Sequence, residues 1–204
     1  MVFDNASIEL KRNGKYILCG ASGSGKSTLV KLITGSVYPG SGRICVDGMD
    51  IHRFSPEQYA RFILPCTQNT FIFNASLRDN VTLFDKCFSE KDILTALETV
   101  EFSYVLERYD DGLDHMIAQG GQTLSGGERQ KIALARMELF DPQVVIFDES
   151  YANLDKETTQ RLIDLAVANK QRTVILISHQ ISNEIASCFD KKIAIRDSKM
   201  LSED

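Results

Sequence analysis

The chain has 204 residues, 43% of them apolar and 25% charged, enough to bury one full core and too few for a second catalytic domain. A formal net charge of -5 gives no general attraction to nucleic acid or to an anionic membrane surface, so any partner has to be met by a local patch. No apolar stretch approaches the roughly 18 residues of a membrane span, and Asp4, Glu9, Lys11 and Arg12 interrupt the N-terminus where a secretory leader needs an apolar core.

The chain as given is therefore expected to be soluble. Its cysteines, Cys19, Cys45, Cys66, Cys87 and Cys188, are odd in number, scattered and mostly among apolar neighbours. They read as reduced core residues of a cytosolic protein, without metal-ligand spacing.

The first predicted element is a strand at 15–19, a short apolar run of the kind a buried parallel strand uses. It leads into Gly20-Ala21-Ser22-Gly23-Ser24-Gly25-Lys26-Ser27-Thr28, which fits the pattern G-x-x-x-x-G-K-[ST]. Small residues let backbone N–H groups curl around phosphate oxygens with no Cβ in the way. Lys26 supplies a point charge for the β- and γ-phosphates, and Ser27 a hydroxyl for Mg²⁺. A helix follows at 26–34, with Leu29, Leu32 and Ile33 at helical spacing, and it aims its positive end at the anion.

A turn at 37–42 precedes a strand at 43–46, a helix at 56–61 and a strand at 62–67. From 71 to 122 strand signals are few and helical ones many, with a helix at 90–99 and a turn at 109–112. This stretch is expected to belong to a helical lobe spanning about 71–140 within a single 1–204 domain. Leu124-Ser125-Gly126-Gly127-Glu128 then opens a helix at 126–138. Ser125 and Glu128 form a capping-box pattern, but two glycines in a first helical turn cost about 1 kcal/mol each relative to alanine. A close approach of backbone to an anionic ligand explains that cost, which makes this turn a second candidate anion site.

The strand at 144–148 ends in Asp148, followed by Glu149, at the carboxyl end where open α/β sheets place ligands. A helix at 156–168, a strand at 173–177, a helix at 180–187 and a strand at 192–196 complete an α/β alternation.

The two glycine motifs, in this order, resemble those of the nucleotide-binding domain of ATP-binding cassette (ABC) ATPases, and the likeness extends from about Ile8 to Met200. Gln68 resembles the family's Q-loop glutamine, 144–149 its Walker B strand, 152–155 its D-loop and His179 its switch histidine. The resemblance implies a P-loop NTPase core with a mainly parallel sheet and an inserted helical lobe. ATP would lie on 20–28, and Mg²⁺ on Ser27, Gln68 and, through water, Asp148. Glu149 would polarise the attacking water while His179 donates to the γ-phosphate. Ser125, Gly126 and Gly127 would close the site of a second nucleotide-binding domain in an ATP-dependent head-to-tail dimer, with Asp155 near its seam.

The stretches 68–81 and 109–121 are similar to ABC exporters, which implies coupling to a transmembrane domain, fused or separate, at the cytoplasmic face of a membrane. The chain departs from that pattern in several ways. No residue lies about thirty positions before Lys26 to stack on adenine, and Phe3 and Tyr16 are not placed to substitute. The first strands of the usual domain are also missing, which suggests an isolated or truncated cassette with weaker ATP binding. Glu128 stands where many relatives have glutamine, and Gln119 where many exporters have glutamate. A soluble non-transport ABC ATPase and a catalytically weak regulatory module are the alternatives; the first usually carries coiled-coil insertions or a tandem cassette, the second loses Glu149 or His179. The transported substrate is not legible.

Overall fold

Continuous runs of Val, Ile and Leu build the centre of the sheet, because a parallel strand covered on both faces needs apolar side chains in both directions. The computed structural model describes residues 2–67, 70–148, 156–178, 183–196 and 199–203. In chain order the elements begin with strand β1 (Lys15–Cys19), helix α1 (Lys26–Ile33), β2 (Cys45–Val46), β3 (Met49–Asp50), α2 (Pro56–Phe62) and β4 (Ile63–Thr67). There follow β5 (Ala75–Ser76), α3 (Leu77–Thr82), α4 (Glu90–Thr99), α5 (Tyr104–Arg108), β6 (Met116–Ile117) and α6 (Gly126–Phe140). The last are β7 (Val144–Asp148), α7 (Lys156–Ala168), β8 (Thr173–Ile177), α8 (Asn183–Ala186), β9 (Lys191–Arg196) and β10 (Lys199–Glu203).

These elements form two units, one from the described residues of Met1–Pro65, Pro142–Glu149 and Ile163–Asp204, the other from those of Cys66–Asp141 and Ser150–Leu162. The first holds the main sheet, in the order β10-β9-β1-β8-β7-β4. β1 runs parallel to both β8 and β9, β7 runs parallel to β8, and β10 closes one edge antiparallel to β9. Ile146, Leu176, Ile177 and Ile195 are at most 1% exposed, and full burial of one such side chain contributes about 2 kcal/mol. Leu29 and Val30 of α1 and Tyr59 of α2 pack onto the same core. The predicted strand at 43–46 shortens to β2, which pairs with β3 as a hairpin. Asp47 (φ 50) and Gly48 (φ 80) make its turn, the two left-handed positions that an Asp-Gly pair supplies.

In the second unit Leu77, Val81, Ile93, Leu97, Phe102, Ile132 and Met137 make a helical core. Asn80, fully buried, accepts from Phe73 N (2.8 Å) and donates to Phe73 O (3.1 Å), Ala75 O (3.3 Å) and Ser76 O (3.0 Å). Arg136 of α6 donates from Nε to Asn80 O (2.7 Å) and from Nη2 to Phe71 O (3.0 Å). Burial pushes its guanidinium down to about 10. These two side chains stitch the 71–80 segment to the helices. Asn80→Ala leaves four backbone groups without their partner and is expected to cost about 3 kcal/mol; urea unfolding followed by circular dichroism measures it.

The cysteine expectation needs correction. Only Cys66 is buried; Cys19 and Cys188 are half-buried, and Cys45 and Cys87 are exposed. Apolar neighbours misled because Cys45 lies in a two-residue strand and Cys87 in the loop before α4, where neighbouring side chains point outward as often as in. None of the five is in a disulfide.

Candidate functional site

Ser55, Ser76, Ser89 and Ser125 each cap a helix, their hydroxyls accepting a first-turn N–H of α2, α3, α4 and α6. The eight-residue helix α1 is different. Its N-cap is Gly25 at φ 106, with no side-chain cap, so its first amides are left for a ligand. The loop before it folds over itself through Ser24 N to Ala21 O (3.1 Å). Lys26 is only 6% exposed, and its ammonium donates to Gly20 O (2.8 Å) and Ala21 O (2.9 Å) across the curl.

Three further details fit a phosphate. Ser24 Oγ is buried with no hydrogen-bond partner among the described residues. A Cβ at Gly20 would stand 2.5 Å from Ser24 Oγ and 2.9 Å from Ile195 O, so only glycine lets the chain turn there. Gly23, at φ 78, faces open space. Ser27 is exposed at the mouth of the loop and Thr28 is half-buried behind it.

Parallel register brings more chemistry to this edge. Leu18 stands level with Ile177, and Ile177 with Asp148, so β1, β8 and β7 end together. The glycine loop therefore leaves β1 at the edge where Asp148 ends β7 and where Ser178, whose N–H donates to Leu18 O (3.3 Å), follows β8. Glu149 and His179 are the next residues in sequence after Asp148 and Ser178; they, Gln68 and Asp155 lie outside the described residues. Tyr16 is a core residue whose hydroxyl accepts from Lys11 N (2.7 Å). Phe3 lies beside the loop, its ring 3.0 Å from where a Gly25 Cβ would be.

In the second unit the capping box of the Ser125–Glu128 turn is formed in both directions. Ser125 Oγ accepts from Glu128 N (3.2 Å), and Glu128 Oε2 accepts from Ser125 N (2.7 Å). Gly126 and Gly127 occupy the first helical positions, where amides have no intrahelical acceptor. Glu128 also accepts from Arg108 Nη2 at 2.6 Å. Burial raises its carboxyl, but Arg108 and the amide and hydroxyl of Ser125 outweigh it and hold the group below the ordinary range.

Arg108, Asn80 and Arg136 carry structural roles that motif reading did not assign. Arg136 had a visible signal, a cation inside Lys131-Ile132-Ala133-Leu134-Ala135-Arg136-Met137 four residues after a buried isoleucine. Phe71, Phe84 and Met116 are at least half exposed, and edge-on contacts link Phe71 to Phe73 and Phe73 to Phe84. Among the described residues no helix is long and apolar enough to cross a membrane.

The family model described as ABC transporter matches residues 3–152. The heterocyst differentiation ATP-binding protein HepA of Nostoc sp. is 37% identical over 184 residues, which cover 89% of this chain and 30% of that protein. The ATP-dependent lipid A-core flippase of Nitrosococcus oceani is 37% identical over 183 residues, 89% of this chain and 31% of that one. The lactococcin transport/processing ATP-binding protein LcnC-like of Lactococcus lactis subsp. lactis is 34% identical over 201 residues, 98% of this chain and 28% of that one. A bacterial Atm1-family ABC exporter solved with ATP bound superposes with a TM-score of 0.87 and 25% identity, over 98% of this chain and 35% of that chain. The core is thus a P-loop NTPase fold, and the chain spans about a third of the length of these relatives.

Proposed function

Because the chain belongs to the ABC transporter family, we propose that it binds and hydrolyses ATP to drive export of a substrate through an associated transmembrane domain. The observation that carries this reading is the uncapped N-terminus of α1 with the Lys26 ammonium folded over Gly20 and Ala21. An open helix end and a buried cation converge on one small volume, as a nucleotide phosphate requires.

Gly20 to Thr28 hold the phosphates in line. Ser27, Gln68 and, through water, Asp148 would hold Mg²⁺, which would supply positive charge to offset that of the phosphates. Glu149 accepts a proton from the attacking water, and His179 donates to the γ-phosphate. Ser125, Gly126 and Gly127 close over ATP held by a second nucleotide-binding domain, with Asp155 at the seam. Each chain then carries two half-sites and no complete one.

The exposed Phe71 and Phe84, joined through Phe73, support a docking surface for the transmembrane domain, since contiguous apolar groups at a surface mark contacts. On this reading the chain works at the cytoplasmic face of a membrane. Steady-state phosphate release, measured across protein concentration, tests the reading. Specific activity is expected to rise with concentration as pairs form and to rise again with the membrane subunit. A chain that binds no ATP overturns it.

A further inference from the structure

The carboxylate of Glu128 is 8% exposed and sits in the first turn of α6. Both of its oxygens are engaged, Oε2 by Ser125 N (2.7 Å) and Oε1 by Arg108 Nη2 (2.6 Å), with the Tyr104 hydroxyl 3.5 Å from Oε1. The Arg108 guanidinium also lies over the rings of Tyr104 and Tyr109, 5.8 and 5.9 Å from their centroids. Lys131, 5.2 Å over the Tyr104 ring, is bonded to Glu101 O (2.8 Å) rather than to the carboxylate.

A carboxylate in the first turn suits the helix by itself, because it meets the positive end of the macrodipole. The same carboxylate works against an incoming phosphate, which needs that positive end and the free amides of Gly126 and Gly127. One charge has to be cancelled for both to hold.

We propose that Arg108 is a positioning residue for nucleotide capture by the Ser125-Gly126-Gly127 turn, holding the capping box shut through Glu128 and cancelling its charge beside the phosphate's seat. The inference rests on the reading of this turn as half of an ATP site. Arg108 touches no nucleotide; it acts through Glu128.

Steady-state ATP hydrolysis of the full chain, with Arg108→Gln and Arg108→Gln/Glu128→Gln variants, tests it. Arg108→Gln is expected to raise the KM for ATP about fivefold, the effect of one unbalanced charge at a helix N-terminus, with kcat little changed. The double variant restores it to within about twofold of wild type, since glutamine keeps an oxygen for Ser125 N without the charge. Melting temperatures recorded alongside separate this from folding. If Arg108 only stabilises the lobe, the second substitution brings no recovery in KM, and that result overturns the proposal, as does an unchanged KM in Arg108→Gln. A wild-type chain that neither binds nor hydrolyses ATP overturns the reading of the site, and this inference with it.

Discussion

Glu149→Gln is expected to reduce ATP turnover by about three orders of magnitude, the range lost with a positioned general base, while ATP binding persists and a nucleotide-dependent dimer accumulates. The expectation follows from the sheet. β7 and β8 run parallel and level with β1, so Asp148 closes β7 at the same edge from which the phosphate loop departs. Glu149 follows Asp148 directly in sequence and is the acid assigned to the attacking water. Glutamine keeps the size and one oxygen of the side chain but cannot accept the proton of a water. Binding free energy that would be released on hydrolysis then stays in the closed pair. Phosphate release and size-exclusion chromatography with and without ATP read the two halves of the prediction. Full turnover by this variant removes Glu149 from its role.

Parts of the molecule were legible because their signals are local. The strand, glycine turn and helix around 15–33 each follow from neighbouring residues, and the Ser125–Glu128 box is a spacing of three that the backbone then fulfils. The Asp47-Gly48 hairpin is equally local, but 43–46 reads as one strand unless the turn pair is weighed. What sequence could not give is the set of polar bonds that pin distant segments. Arg136 reaches back 56 residues to Asn80 O and 65 to Phe71 O, and no periodicity marks which carbonyls a buried guanidinium will find. The Arg108–Glu128 pair spans 20 residues and two helices, and it turns a first-turn glutamate from a simple cap into a charge needing compensation. Motif reading sees the residue that touches ligand; the side chains that hold such residues in place carry no motif of their own.

Gly20→Ala is expected to weaken ATP binding about a hundredfold, because a displacement near 1 Å at a positioning group is worth that much. The new Cβ would meet Ser24 Oγ at 2.5 Å and Ile195 O at 2.9 Å. Ser24 can turn aside, but Ile195 is backbone of β9, locked beside β1 through the pairing of Cys19 with Ala194. The loop must therefore give way, and with it the Gly20 carbonyl that fixes Lys26. Gly23→Ala meets open space but keeps φ at 78, a left-handed strain of about 1 kcal/mol and so about fivefold in affinity. Gly40→Ala faces open space, carries no positive φ and should stay at the wild-type value. Titration with a fluorescent ATP analogue ranks the three. The order Gly20, Gly23, Gly40 is required if the loop binds phosphate through the backbone path described; equal affinities at Gly20 and Gly40 would mean that the nucleotide does not rest on this curl.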